Sequence, residues 1–274
     1  MTPTTYMAFD IFRNNAYIEY IKANVSGKIV VDCGSGSGLW TWVALFYGAK
    51  HVFSIDLHQP TIDHLNLLFA DNDKVTVMKA DIFKDALPAG DVYIHEIFSN
   101  SLFGEGILNF LKNCQRQNIN NLFPSEIKMY SMTEFKTETV SKIYDLSLLQ
   151  SEIIAFLDYI ASKYQQPINF EDYTKHYAHN QYSWGSKTLA WHGPIEELLT
   201  VPDIFSGGGE YFSWAAGAGD IEYSPLNGKY SGWRGALEKT LMYNSYLRFQ
   251  RMDNTEALNY ACTKLGVLAT SSSA

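Results

Sequence analysis

A run of alternating glycine and serine follows the first apolar segment of the chain. Gly34, Gly36 and Gly38 come directly after residues 28–33, and a helical pattern resumes at residue 39. A glycine-rich turn between a strand and a helix lets the backbone approach a ligand closely and points amide N–H groups at it. Its spacing, G-x-G-x-G, differs from the dinucleotide fingerprint, and no lysine follows as a phosphate-binding P-loop requires. The turn therefore predicts a site for a nucleotide-type cofactor that uses neither of those motifs.

Two glutamates, Glu96 and Glu105, lie in the segment HEIFSNSLFGE, residues 95–105. Two carboxylates that return to one cavity suit a cation, and a guanidinium offers five N–H donors in one plane for them to clamp. Such a clamp also fixes one nitrogen for an in-line transfer. We therefore expect Glu96 and Glu105 to be the catalytic pair, and we expect them to bind the cationic group of a substrate that accepts a transferred group. Their spacing alone fits equally well with one glutamate capping a helix and the other facing water.

The first hundred residues alternate helical patterns with short apolar runs. Helical patterns cover residues 7–24, 39–49 and 60–70, and strand patterns cover 28–33, 51–57, 74–81 and 91–98. This alternation predicts an α/β fold with a parallel sheet and right-handed crossovers. Ligands of such sheets bind at the carboxyl ends of the strands. The predicted strand ends carry the glycine turn, Asp56, Asp81 and Glu96.

The second half of the chain has a different pattern. Residues alternate between apolar and polar from Ile127 onward, and an amphipathic helix is predicted over 147–164. Turn residues and aromatics dominate beyond it, with a loop at 206–209, and residues 236–260 fit either strand or helix. We expect two domains, residues 1–125 and 126–274, the second β-rich with a helical arm at about 145–180.

Composition limits the possible partners. The chain has 274 residues, of which 46% are hydrophobic and 18% charged, as in a globular protein with a substantial core. Its net charge of −8 disfavours nucleic acid, whose binding depends on Lys and Arg. The three cysteines lack metal-ligand spacing, so no metal is expected. The sequence shows neither the pattern of a signal peptide nor that of a membrane-spanning stretch, and we therefore expect a cytoplasmic protein that binds no membrane.

The glycine turn extends a longer motif. The segment Asp32-Cys33-Gly34-Ser35-Gly36-Ser37-Gly38 has the form D-x-G-x-G-x-G and follows an apolar strand. It resembles motif I of the S-adenosylmethionine-dependent methyltransferases of class I. This resemblance implies S-adenosylmethionine as the cofactor, with Asp32 near its methionine amino group.

The resemblance also gives roles to the acids that end the next two strands. It implies that Asp56 accepts hydrogen bonds from both ribose hydroxyls, which suits a carboxylate with two acceptor oxygens. Asp56 lies about 20 residues beyond the motif, as a βαβ unit requires. Asp81 falls where such proteins bind the adenine amine. The residues expected to bind the cofactor beside these acids are Gly34, Ser35, Gly36, Gly38, Leu57 and Ile82.

The glutamate segment narrows the resemblance to the protein arginine N-methyltransferases. Their double-glutamate loop has the form S-E-x-M-G-x-x-L-x-x-E, and residues 95–105 keep both glutamates and Leu102 in register. LFPSEIKMY, residues 122–130, resembles the start of the family's β-barrel domain. SPLNGKYSGWRGAL, residues 224–237, resembles a later barrel segment, with Gly232 in place of the histidine of the family's Thr-His-Trp loop. The implied fold is a Rossmann-like methyltransferase sheet followed by a β-barrel-like domain with a helical insertion.

The same resemblance assigns four further residues. Arg13 matches the arginine that pairs with the cofactor carboxylate, and Met7 falls where many members place a methionine against the substrate. Phe98 and Trp233 are expected to contact the substrate as well. The implied reaction is N-methylation of a guanidinium, and helix 147–164 lies where the family inserts a dimerisation arm, which makes a homodimer possible.

Other interpretations stay open. The fold could serve a small-molecule or non-arginine N-methyltransferase whose acceptor also carries a cationic nitrogen, or a non-catalytic scaffold that retains the architecture. Helix 147–164 could pack on the barrel instead of forming a dimer. His192 could replace the barrel histidine, and His176 with His179 could bind a metal, although paired exposed histidines are a more ordinary explanation.

Overall fold

The structure, a computed structural model, describes residues 7–8, 10–98, 102–132, 135–140, 149–166, 179–184, 187–200 and 211–224. A five-stranded, a four-stranded and a two-stranded β-sheet and five α-helices lie in these ranges. The helices are α1 Ile11–Asn24, α2 Leu39–Phe46, α3 Gln59–Phe69, α4 Ile107–Arg116 and α5 Ser151–Tyr164. The strands of the first sheet are β1 Ile29–Cys33, β2 His51–Asp56, β3 Val75–Lys79, β4 Val92–His95 and β5 Leu122–Phe123.

The first sheet is parallel throughout and has the strand order β3-β2-β1-β4-β5. β4 is buried at every position, as expected for a strand covered by helices on both faces. The chain runs outward from β1 to β2 and β3, and then returns to the other side of β1 with β4. The strand order therefore reverses between β1 and β4, where sheets of this type bind their ligands.

Local sequence explains where the helices of this half begin. The Asp10 carboxylate caps α1 by accepting a hydrogen bond from the Arg13 backbone N–H at 3.2 Å. α2 starts after Gly38, and Pro60 lies in the first turn of α3. α4 was not predicted, although its buried side chains recur at helical spacing: Ile107, Leu108, Phe110, Leu111 and Cys114.

The second sheet is antiparallel. Its strands are β6 Glu126–Met132, β9 Lys187–Pro194, β10 Tyr211–Ala218 and β11 Ile221–Tyr223, in the order β11-β10-β6-β9. β7 Phe135–Val140 and β8 His179–Trp184 form a separate antiparallel pair. A parallel sheet with helices followed by an antiparallel β-structure confirms the predicted fold class. Gly232, Trp233, His176 and residues 206–209 and 236–260 lie outside the described residues.

Helix α5 packs on the first half of the molecule. Trp42 of α2 contacts Phe156 with ring centroids 5.9 Å apart, and Lys163 pairs with Asp71 beyond α3 at 3.0 Å. The buried face of α5 consists of Ile153, Phe156, Leu157 and Ile160. α2 and α3 cover this apolar face, a packing that the sequence did not predict, and contact of the helix with the barrel stays a prediction. The interpretation of α5 as a dimerisation arm also stays a prediction.

Among the described helices, none combines the length and apolar character needed to cross a membrane. The described part of the chain includes no group of three or more His, Cys, Asp or Glu side chains arranged to hold a metal ion.

Candidate functional site

The glycine turn wraps over the end of β2. The backbone N–H groups of Gly34 and Ser35 both donate to the Ile55 carbonyl, at 2.9 and 2.8 Å. Gly34, Gly36 and Gly38 have φ angles of +82°, +52° and +80°, which side chains with a Cβ rarely adopt. A Cβ on Gly38 would lie 2.9 Å from a methyl group of Leu65. Glycine is thus required by the backbone conformation, and at residue 38 also by the close approach of α3.

Asp56 reaches the glycine turn from the end of β2. Its two carboxylate oxygens accept hydrogen bonds from Gly36 N at 3.2 Å and from His58 N at 2.9 Å. These bonds hold the largely buried carboxylate against the turn. Each oxygen keeps a further lone pair, so the group can still accept two donors from a ligand. Leu57, the next residue, is 47% exposed.

Asp32 lies behind the turn. Its carboxylate accepts a hydrogen bond from the Thr41 hydroxyl at 2.7 Å, and the Ser35 hydroxyl donates to its backbone carbonyl at 2.9 Å. Burial raises the pKa of Asp32 to about 6, although the hydrogen bonds from Thr41 and Ser35 oppose the rise. The residue therefore ties β1, the turn and α2 together.

Glu96 forms a buried ion pair with Arg13. Arg13 Nη1 lies 2.6 Å from Glu96 Oε1, and the two side chains are 1% and 12% exposed. Arg13 also donates to the Asn14 side chain at 2.9 Å and to the Met7 carbonyl. Burial raises the pKa of Glu96 while the charge of Arg13 opposes this, and the pKa of Arg13 is itself raised by Glu96 against the effect of its own burial. Two residues predicted to bind different ligands thus contact each other directly.

Glu105 is close enough to Glu96 for their charges to interact. Desolvation raises the pKa of Glu105 to about 7, and repulsion by Glu96 adds to the rise. The residue is nevertheless exposed at its surface, so water opposes this shift. Glu105 therefore lies on the open side of the site, whereas Glu96 lies on the buried side.

Aromatic residues that the sequence analysis missed surround the Arg13–Glu96 pair. The Arg13 guanidinium carbon lies 5.7 Å from the Trp40 ring centroid, and Trp40 also stabilises the Glu96 carboxylate by a side-chain hydrogen bond. Tyr17 stacks on Trp40 at 4.5 Å. The signal for Trp40 was its position two residues after the glycine turn, at the start of α2.

His95 links the end of β4 to β5 and α1. Its Nε2 lies 3.2 Å from the Pro124 carbonyl, and its own carbonyl accepts a hydrogen bond from the Tyr17 hydroxyl at 2.6 Å. Burial lowers the pKa of His95 to about 4, so the ring is neutral at physiological pH.

Three further residues of the predicted site, Asp81, Ile82 and Phe98, have their contacts with other protein groups. Asp81 pairs with Lys84 at 2.9 Å and accepts from Phe83 N at 3.0 Å, contacts that lower its pKa. The buried side chain of Ile82 lies beside Gly34. Phe98 is fully buried, with its ring centroid 5.2 Å from that of Trp214.

Two other candidates lie at the edges of this region. Met7 contacts the site through its carbonyl, which accepts from Arg13. His192 is on exposed β9, with its Nε2 3.2 Å from a Glu126 carboxylate oxygen.

Comparison with known proteins shows similarity to methyltransferases. A family model described as FtsJ-like methyltransferase matches residues 13–97. Over 110 residues the chain is 33% identical to the probable histone-arginine methyltransferase 1.4 of Arabidopsis thaliana, covering 37% of this chain and 21% of that protein. It is 32% identical over 110 residues to protein arginine N-methyltransferase 1 of Chlamydomonas reinhardtii, covering 38% and 29%. The chain thus spans about a fifth of the first relative's length and under a third of the second's.

Solved structures extend the likeness to most of the chain. The crystal structure of protein arginine methyltransferase 10 of Arabidopsis thaliana matches with a TM-score of 0.54 at 17% identity, covering 86% of this chain and 80% of that one. The enzyme–prozyme complex of protein arginine methyltransferase 1 of Trypanosoma brucei also gives 0.54, at 15% identity, covering 85% and 82%. These matches establish the fold. The chain has a class I methyltransferase fold and resembles the protein arginine methyltransferases.

Proposed function

We propose that this chain is an S-adenosylmethionine-dependent N-methyltransferase whose acceptor is a guanidinium group, an arginine side chain of a protein. The observation that carries the proposal is the position of the Arg13–Glu96 ion pair. β1 and β4 are neighbours, and Cys33 pairs with His95, so that the glycine turn and Glu96 leave the sheet side by side. A buried carboxylate thus stands next to a turn built to bind a nucleotide-type cofactor.

The residues around the turn fit S-adenosylmethionine, which supplies an activated methyl group on a sulfonium. Asp56 retains acceptor capacity for a ribose diol, and Gly34 leaves the surface of the turn free of a side chain. Arg13, a buried cation, suits the methionine carboxylate. Asp32 would face the amino group only from behind the turn, and Asp81 would have to leave Lys84 to reach an adenine amine.

The two glutamates fit a cationic acceptor on electrostatic grounds. An acceptor guanidinium brings a positive charge to the site, and Glu96 and Glu105 offer it two carboxylates, one of which already contacts Arg13. Because Glu96 is already held by Arg13, one carboxylate of the clamp is oriented before the acceptor binds. This pre-organisation reduces the entropy lost when the acceptor is positioned for in-line attack.

Glu105 also suits the proton chemistry of the reaction. Its pKa of about 7 lets it both ionise when a cation binds and accept a proton at neutral pH. In this account His192 has no catalytic role, since it pairs with Glu126 on the second sheet.

The substitution Glu96→Gln tests the choice of acceptor. The account predicts loss of methyl transfer to an arginine peptide while S-adenosylmethionine still binds. An uncharged acceptor would instead be methylated with modest loss, because it does not depend on the clamp. A cationic small molecule is distinguished from an arginine peptide by which of the two the wild-type chain methylates. If calorimetry detects no binding of S-adenosylmethionine to the wild-type chain, both enzyme interpretations fail and a scaffold remains.

The assembly and location of the protein belong to the same proposal. A homodimer in the cytoplasm, without nucleic acid or membrane as a partner, is what the sequence predicts. Light scattering coupled to size-exclusion chromatography would test the dimer directly.

A further inference from the structure

A chain of hydrogen bonds connects α5 to the glycine turn through a buried histidine of α3. His64 is 5% exposed, and its Nε2 lies 3.1 Å from the carbonyl oxygen of Ser37 in the turn. Its other ring nitrogen, Nδ1, is hydrogen-bonded to the Tyr164 hydroxyl at the end of α5. A single ring thus joins the last residue of α5 to the turn that precedes α2.

The direction of these bonds follows from the chemistry of the groups. The Ser37 carbonyl can only accept, so His64 Nε2 must carry the hydrogen. Burial lowers the pKa of His64, and a neutral ring carries only one N–H. Nδ1 is therefore an acceptor and the Tyr164 hydroxyl is its donor, which leaves both ring nitrogens of the buried histidine satisfied.

Apolar contacts run in parallel with this relay. The Gly38 position that closes the turn lies against α3, where an added Cβ would meet Phe69 at 3.1 Å. Phe69 in turn stacks with Tyr159 of α5, with ring centroids 6.3 Å apart. The turn is therefore supported by α3, and α3 is covered by α5.

The other end of α5 reaches α1. Gln150, which precedes the helix, donates from its side-chain amide to the Ile11 carbonyl at 2.8 Å. Ile11 begins the helix that carries Arg13. α5 thus contacts α1 directly and the glycine turn through His64. In the sequence α5 lies after the first strand of the second sheet.

We propose that α5 holds the glycine turn in its cofactor-binding conformation through the relay Tyr164–His64–Ser37, and that His64 and Tyr164 are positioning residues of the cofactor site. The inference rests on the proposed function in naming S-adenosylmethionine as the ligand. It implies that the second half of the chain contributes to cofactor affinity without touching the cofactor.

The substitution Tyr164→Phe tests the relay, and Tyr159→Phe is its matched control. The Tyr159 hydroxyl also links α5 to α3, by donating to the Leu68 carbonyl, but it does not connect to the turn. Loss of one neutral hydrogen bond that positions the turn weakens S-adenosylmethionine binding by about fivefold for Tyr164→Phe. The control stays within about twofold of the wild type, while both variants lower Tm by similar amounts.

A second variant and a second readout keep the test decisive. His64→Leu removes both ring nitrogens, and it should weaken binding at least as much as Tyr164→Phe, with no further loss when Tyr164→Phe is added to it. Amide hydrogen exchange of Gly34, Ser35, Gly36 and Gly38 in the ligand-free chain should accelerate in Tyr164→Phe and not in Tyr159→Phe.

Equal effects of the two tyrosine substitutions on affinity and exchange would overturn the relay, because they would show general loss of α5 packing. Unchanged affinity and exchange in Tyr164→Phe would overturn it as well. If the wild-type chain binds no S-adenosylmethionine, the proposed function fails, and the exchange comparison still decides whether α5 holds the turn.

Discussion

Replacing Glu96 with Gln should destabilise the fold, whereas replacing Glu105 with Gln should not, although both should abolish arginine methylation. Arg13 is 1% exposed and its Nη1 lies 2.6 Å from Glu96 Oε1. Among the described residues Glu105 has no ion-pair partner, and its side chain is exposed. The two glutamates thus differ in structural role while sharing a proposed chemical role.

The magnitude follows from what glutamine keeps and loses. It retains an oxygen acceptor for Arg13 but loses the charge, so the cost is that of a charge-assisted bond, about 2 kcal/mol. For a chain of this size that corresponds to a decrease in Tm of about 4–8 °C. Glu96→Ala, which removes the acceptor as well, should cost about 3–5 kcal/mol.

Thermal unfolding of the wild type and both glutamine variants, with methyl transfer to an arginine peptide measured in parallel, makes the comparison. Equal Tm values for the two variants would refute the reasoning, because Arg13 would then not depend on Glu96. Retained transfer in either variant would refute the carboxylate clamp.

Three further predictions use the same site. The affinity for an arginine peptide should rise with pH through about 7 as Glu105 ionises, because the ionised carboxylate attracts the cation. In binding titrations from pH 6 to pH 8, the affinity of Glu105→Gln should lack this pH dependence. A pH dependence unchanged by that substitution would contradict the prediction. Asp56→Ala should weaken S-adenosylmethionine binding by at least about 30-fold, because each of the two hydrogen bonds expected from the ribose contributes about 2 kcal/mol. Calorimetry should show no such loss in Asp63→Ala, an exposed acid of α3. The pKa of Asp32 is raised from 3.8 to about 6, so the folded state binds its proton more tightly than the unfolded state and stability falls as pH rises through that interval; Tm measured at both ends of it should change less in Asp32→Asn, and an equal change would contradict the assignment.

The first sheet could be predicted because its signals are local. Each of β1 to β4 is a short apolar run bounded by turn residues, and the helices between them show the spacing of one buried face. α4 was not predicted although its apolar residues recur at helical spacing, because Gly106 precedes it without a side-chain cap and its first turn has no acidic residue to mark the start of a helix. The packing of α5 on α2 and α3 could not be predicted, since an apolar helix face does not specify which surface covers it.

The sequence predicted which residues belong to the candidate site, but it did not predict the contacts between them. The glycine spacing, Asp56 and the two glutamates are visible as motifs at predicted strand ends. The pairing of Arg13 with Glu96 is a contact between residues 83 positions apart, which periodicity cannot reveal. His64 had no signal in the sequence, because a histidine on the buried face of a helix does not indicate which groups its two nitrogens meet.

Transfer of a labelled methyl group to arginine is the decisive experiment for the proposed activity. The wild-type chain is incubated with S-adenosylmethionine labelled in the methyl group and with an arginine-containing protein or peptide, and the acceptor is then hydrolysed to amino acids. The account predicts that the label is recovered in methylated arginine and that Glu96→Gln eliminates it. Label recovered in another amino acid or in a small molecule, or no transfer by a chain that binds the cofactor, would contradict the account.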